Sequence, residues 1–225
     1  MGRIKKEGHT VHSIFTIENL RPIRNGMTVS RNSGLSLANP VTYFSMGNGT
    51  SISQESYDRM TMYLGAYGRG QFILGQKQHE VSMEPGVALV VPAKTLCGMQ
   101  TSNGLIYTEI ILKKETTMNQ NVKTNEVFAL KDLISYEEGS IANMDVASND
   151  SMKYVLMAFD EGTGLAPHRA PGNAIVFALE GKAMIGYEGK DYELSAGECF
   201  RFEKNGLHSV TANSRFKMAL LLILE

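Results

Sequence analysis

With only two cysteines, Cys97 and Cys199, the 225-residue chain cannot build a disulfide framework. Reduced thiols and a cytoplasmic setting are the expectation. No excess of charge is present either. The 22 Lys plus Arg stand against 23 Asp plus Glu, so no global field selects nucleic acid or an anionic membrane as a partner. The longest uncharged apolar run, Met218 to Leu224, is far too short to span a bilayer as a helix. The basic start GRIKKEGHT has no apolar segment behind it, which argues against a secretory signal. Several chemistries are missing as patterns. There is no Gly-rich phosphate loop opening a helix, no G-x-S-x-G elbow, no Cys-x-x-Cys pair and no basic-aromatic stripe.

What the chain does contain is a repeat, and a repeat decides architecture. IFTIENLRPIRNG, from Ile14 to Gly26, matches VFALKDLISYEEG, from Val127 to Gly139, at an offset of 113 residues. The same offset carries Gly49-Thr50 onto Gly162-Thr163. Further on, GQFILGQKQHEVSMEPGVALVVP lies over GKAMIGYEGKDYELSAGECFRFE at an offset of 111, aligning Gly70, Gly75 and Gly86 with Gly181, Gly186 and Gly197. A two-residue difference in loop length between residues 53 and 64 is the expected cause.

Each half reads as short strands. Tyr187-Glu188-Gly189-Lys190 is a tight turn between two alternating strands. LIYTEIIL and FKMALLLIL, which end the halves, are apolar enough for burial on both faces. Only IENL and LKDLI suggest helical turns. Even strand spacing, glycine corners and little helix describe a jelly roll. The expected fold is all-β, with two tandem jelly-roll barrels related by duplication. The expected boundaries are an N-terminal barrel with its arm over 1–112, a polar linker over 113–125 and a C-terminal barrel over 126–225.

The second half resembles a cupin, and the repeat makes the whole chain similar to bicupins. The first cupin motif runs from a Gly through a His-x-His pair and a Glu to a second Gly. Here Gly162, His168 and Gly181 occupy motif positions, while Ala170 stands for the second His and Ala174 for the Glu. In the second motif Gly197 precedes His208 at the single His position, with Glu203 where the family has Pro. The first half keeps that Pro as Pro92, but Cys97 takes the His position, and either Glu55 or Tyr57 lies over His168. The first barrel is therefore expected to lack a metal site and to serve packing or assembly.

His168 and Ala170 share a strand face, and Ala174 shares it if the strand is regular. His208 comes from another strand, so only the fold can bring the imidazoles together inside the barrel. The resemblance implies a divalent ion at His168 and His208, drawn from Zn, Fe, Ni or Mn. Ala170, Ala174 and Val176 would line the pocket. Glu161, Asn173 and Met218 are open candidates for a third ligand. Such an ion would serve an isomerase, decarboxylase or dioxygenase acting on a small polar or carbonyl compound. The alternative is a metal-free, non-enzymatic module that binds a small molecule. Cys97 reads as a small buried hydrophobe, His79 and Arg169 as surface residues, and His9 and His12 as members of an arm. A homodimer is expected from exposed sheet edges and apolar terminal strands.

Overall fold

The computed structural model describes residues 13–225; His9 and His12 lie outside them. A single helical turn, α1 (Ile17–Leu20), is capped by the Thr16 side chain, which accepts from the Asn19 N–H. The first barrel follows, as β1 (Thr28–Asn32), β2 (Val41–Met46), β3 (Thr50–Glu55), β4 (Thr61–Gly68), β5 (Gly70–Leu74), β6 (His79–Met83), β7 (Val87–Val91), β8 (Cys97–Thr101) and β9 (Leu105–Ile111). Two short strands, β10 (Thr117–Met118) and β11 (Val127–Ala129), and a 3-10 turn (Leu130–Leu133) lead on. The second barrel comprises β12 (Ile141–Asn149), β13 (Met152–Phe159), β14 (Gly164–Arg169), β15 (Asn173–Glu180), β16 (Lys182–Tyr187), β17 (Lys190–Ser195), β18 (Cys199–Phe202), β19 (Leu207–Thr211) and β20 (Phe216–Ile223).

The two barrels have one strand order. The first pairs a sheet β1-β2-β9-β4-β7-β11 with a sheet β3-β8-β5-β6. The second pairs β10-β12-β13-β20-β15-β18 with β14-β19-β16-β17. Substituting β12 to β20 for β1 to β9 converts one set into the other, except that β11 and β10 extend the large sheets at opposite ends. A bulge recurs at the equivalent place, between Gly65 and Tyr67 in β4 and between Ala178 and Glu180 in β15, whereas the shift between Asp145 and Ala147 in β12 has no counterpart in β1.

The barrels are laced together. Strand β11, placed by sequence in the second barrel, pairs with β7 of the first, Phe128 opposite Ala88. Reciprocally, Phe15 bridges to Cys199 on β18. Phe15 and Phe128 are repeat counterparts, as are Ala88 and Cys199, so the exchange is two-fold in kind. The expected linker is ordered, because β10 within it pairs with β12.

Period-two alternation decides what each strand buries. On β2, Val41 and Tyr43 face a core shared with Tyr154, Leu156 and Leu221 of the second barrel, whereas Met46 faces the interior of the first. The large sheets thus pack on each other and are buried on both faces. Strands β9 and β20 fulfil the two-sided burial read from their sequences. Both are central in their sheets, however, so these apolar strands are unavailable for edge pairing between molecules. At the seam, Asn39 is fully buried. Its Oδ1 accepts from the Lys113 N–H and Asn149 Nδ2, each at 2.9 Å, and its Nδ2 donates to Ser151 Oγ at 3.0 Å.

The two-residue difference between the halves does not lie between residues 53 and 64. Leu74 pairs with His79 across a four-residue turn, 75–78, where Tyr187 pairs with Lys190 across two residues, Glu188 and Gly189. The offset stays at 113 up to that hairpin. Gly68, not Gly70, is therefore the counterpart of Gly181. Both glycines have φ near +70°, and a Cβ on either would collide with a carbonyl, of Gly104 or Arg215. Glycine identity alone misaligned the repeat, because glycines recur at every corner.

Candidate functional site

Strands β14 and β19 are antiparallel, and His168 stands directly opposite His208. A register shift between Leu165 and His168 creates this pairing. It falls where Pro167 has no N–H to give the ladder. The ring centroids are 4.3 Å apart and inclined by 53°. Each Nδ1 lies 2.9 Å from the carbonyl oxygen two residues upstream, Ala166 for His168 and Gly206 for His208. A carbonyl only accepts, so each Nδ1 carries the proton and each neutral ring keeps its lone pair on Nε2.

The two rings differ in environment. His168 is exposed, whereas His208 is buried and stacks on Phe202 with centroids 4.2 Å apart. Burial lowers the pKa of His208 and the neighbouring His168 lowers it further, against the Gly206 hydrogen bond. Beside them, Arg169 is exposed; it donates to the Asn205 carbonyl and pairs with Glu188 at 3.7 Å.

The other residues read as pocket-lining are placed differently. Ala170 is half-buried, and its carbonyl accepts from the Asn205 N–H. Ala174 and Val176 do point inward, but into a packed cluster with Tyr187, Phe200, Phe202 and Phe216. Ala174 is the cross-strand neighbour of Phe202, so large rings occupy the space its small side chain leaves. Of the third-ligand candidates, Glu161 is exposed, Asn173 accepts from the Lys204 N–H, and Met218 is buried in the same cluster. Among the described residues no three His, Cys, Asp or Glu side chains gather to hold a metal. Two imidazoles fall short of the three or more protein ligands of a well-held ion, and the donor set does not fit a resident metal.

The first barrel is the surprise. Strand pairing puts Glu55 opposite Cys97, the counterparts of His168 and His208. Tyr57 then corresponds to Ala170 and Thr61 to Ala174, so polar side chains occupy three of the four motif positions and Cys97 the fourth. A cavity of about 170 Å³ opens there, lined by Glu55, Tyr57, Tyr63, Cys97, Tyr107 and Glu109, with Phe44, Ile52 and Met99. Glu109 comes from β9, on the face shared with Leu105 and Tyr107, and is 4% exposed. The Tyr57 hydroxyl donates to its Oε2 at 3.3 Å.

Burial raises the Glu109 carboxyl to about 7; the Tyr57 and Tyr63 hydroxyls oppose this and the Glu55 charge adds to it. Burial likewise pushes the Cys97 thiol up to about 12, so it is an inert hydrophobe by chemistry as well as by position. Sequence reasoning missed Glu109 and Tyr63, and named Tyr57 only as one of two residues that could lie over His168. The available signal was Glu109 itself, the one charge inside LIYTEIIL, a run read as buried on both faces. His79 is exposed, as expected of a surface residue, and begins β6 just after the turn.

Comparison with known proteins bears on this geometry. The family model "Cupin domain" matches residues 155–224, the stretch holding His168 and His208. Comparison with the curated proteins returns no match. Among solved structures, a cupin 2 conserved barrel domain protein from Leptotrichia buccalis superposes with a TM-score of 0.82 at 23% identity, over 95% of this chain and 97% of that one. A salicylate 1,2-dioxygenase from Pseudoaminobacter salicylatoxidans superposes at 0.67 with 10% identity, over 93% and 83%. The sequence match and the superpositions agree: the chain carries the cupin fold, with a cupin-domain match confined to its second barrel.

Proposed function

We propose that the chain is a small-molecule-binding protein of the cupin type whose second barrel works without a resident metal, as a binding module. The observation that carries this reading is the loss of two of the four motif positions to Ala170 and Ala174, with Phe202 packed against the latter. What remains is a pair of hydrogen-bonding imidazoles. With Nδ1 of each committed to a carbonyl, the Nε2 atoms suit a small polar ligand that offers donors, such as a hydroxyl or an amide. The shared strand order and recurring bulge support a tandem duplication in which the halves have since diverged.

One observation favours a second reading. Histidines that bind metals hold the other ring N–H on a carbonyl or carboxylate, as both do here. On that reading His168 and His208 hold Zn, Fe, Ni or Mn, and the substrate or water supplies the missing donors. Elemental analysis of untagged protein incubated with Mn, Fe, Ni or Zn separates the two. The metal-free reading expects far less than one ion per chain in both the wild type and the His168→Ala, His208→Ala double variant. Stoichiometric metal in the wild type, lost in the double variant, overturns it and establishes the second. A cytoplasmic setting and homodimer formation belong to the same proposal. Both cysteines are free and buried, and among the described residues no helix is long and apolar enough to cross a membrane.

A further inference from the structure

Glu109 poses a physical problem that the second barrel does not. A buried charge is ordinarily paired or coordinated, since taking it out of water costs several kcal/mol. Yet every group bearing on Glu109 is a phenol or another carboxylate: Tyr57 from the segment after β3, Tyr63 from β4, and Glu55 at the end of β3. Tyr107 on its own strand and Cys97 on β8 complete the titratable surroundings. No Lys, Arg or His lines the cavity among the described residues. Tyr57 and Tyr63 favour the ionised form of Glu109, burial and the Glu55 charge disfavour it and prevail, and the network contains no positive group to compensate the charge.

The walls supply the rest of the description. Phe44 and Tyr107 are stacked with centroids 5.0 Å apart and planes 3° from parallel. Tyr63 meets Tyr107 edge-on at 5.9 Å. Aromatic walls around a carboxylate attract an organic cation through ring quadrupole and charge together. The volume, about 170 Å³, compares with the roughly 150 Å³ cavity that accommodates benzene. Glu55 and Tyr57 are exposed on one side, so a ligand can enter past a second negative charge.

We infer that the cavity of the first barrel is a binding site for a small organic ammonium ion of about six to eight non-hydrogen atoms, with Glu109 as its counter-ion, Glu55 at the entrance and Phe44, Tyr57, Tyr63 and Tyr107 as its aromatic enclosure. The site lies in the other barrel from the histidine pair and does not depend on how that pair is used. Binding needs Glu109 ionised. With a carboxyl that titrates near 7, affinity rises with pH, about tenfold between pH 6 and pH 8.

Titration calorimetry with benzylammonium, and with benzyl alcohol as its neutral counterpart, tests this. The expected result is millimolar or tighter binding of benzylammonium at pH 8, about tenfold weaker at pH 6, with no comparable heat from benzyl alcohol. Glu109→Gln should weaken benzylammonium at least tenfold, and Glu55→Gln should weaken it severalfold, in variants with wild-type circular dichroism. If Glu109→Gln does not fold, Glu55→Gln and the pH dependence of the wild type decide. The proposal is overturned by no detectable benzylammonium binding at pH 8, by equal binding of benzyl alcohol, by an affinity flat in pH, or by folded Gln variants that bind as the wild type does.

Discussion

Glu109→Gln should make the free protein more stable at neutral pH, and the size of the gain follows from burial. An unfolded glutamate titrates near 4.5, and the buried one near 7. Between those values the unfolded chain has lost its proton while the folded chain retains it, so each pH unit lowers stability by about 1.4 kcal/mol. Across the window this amounts to about 3 kcal/mol. The penalty is absent below pH 4.5, grows through the window and is constant above pH 7. Glutamine has nearly the same shape and no charge, and its carbonyl can still accept from Tyr57.

The assay is urea unfolding of the wild type and the variant at several pH values from 4.5 to 8. The wild-type-minus-variant difference is the quantity to follow, because His208 and the surface carboxylates titrate in both proteins and cancel. That difference should move by about 3 kcal/mol in favour of the variant between pH 4.5 and pH 8. A difference that moves by less than about 1 kcal/mol would mean that the carboxyl remains well solvated, and the desolvation argument for the first barrel would fall with it.

Other consequences can be checked with less effort. Asn39→Ala leaves the Lys113 N–H and the Asn149 and Ser151 side chains without their shared partner, and urea unfolding should show a loss of about 2 to 4 kcal/mol. His208 should titrate below 6.5 by NMR. Because its folded pKa is depressed, stability is full above 6.5 and falls as pH drops through that folded value, a dependence that His208→Phe should abolish. Cys97 and Cys199 are buried with thiols pushed up by desolvation, so neither should react with a thiol reagent at pH 8 until denaturant is added. Gly181→Ala should lower stability by at least 1 to 3 kcal/mol, from its positive φ and the clash with the Arg215 carbonyl.

By itself the sequence determined the class of fold, the doubling of the barrel, the two helical turns and the central apolar strands. All of these are written in local signals: alternation with period two, corner glycines and the Tyr187–Lys190 turn. It also brought out His168 and His208, since their spacing from Gly162 and Gly197 survives in the chain. Only the tertiary structure decided what occupies the space between residues distant in sequence. Ala174 and Val176 point inward as alternation requires, but whether an interior is hollow depends on Phe200, Phe202 and Tyr187 arriving from other strands. Glu55 and Tyr57, Cys97, and Glu109 belong to three segments distant in sequence, Glu109 at no motif position, and barrel closure alone gathers them around one cavity. Strand periodicity is a property of neighbours along the chain; the filling of a barrel is a property of side-chain volumes summed across it.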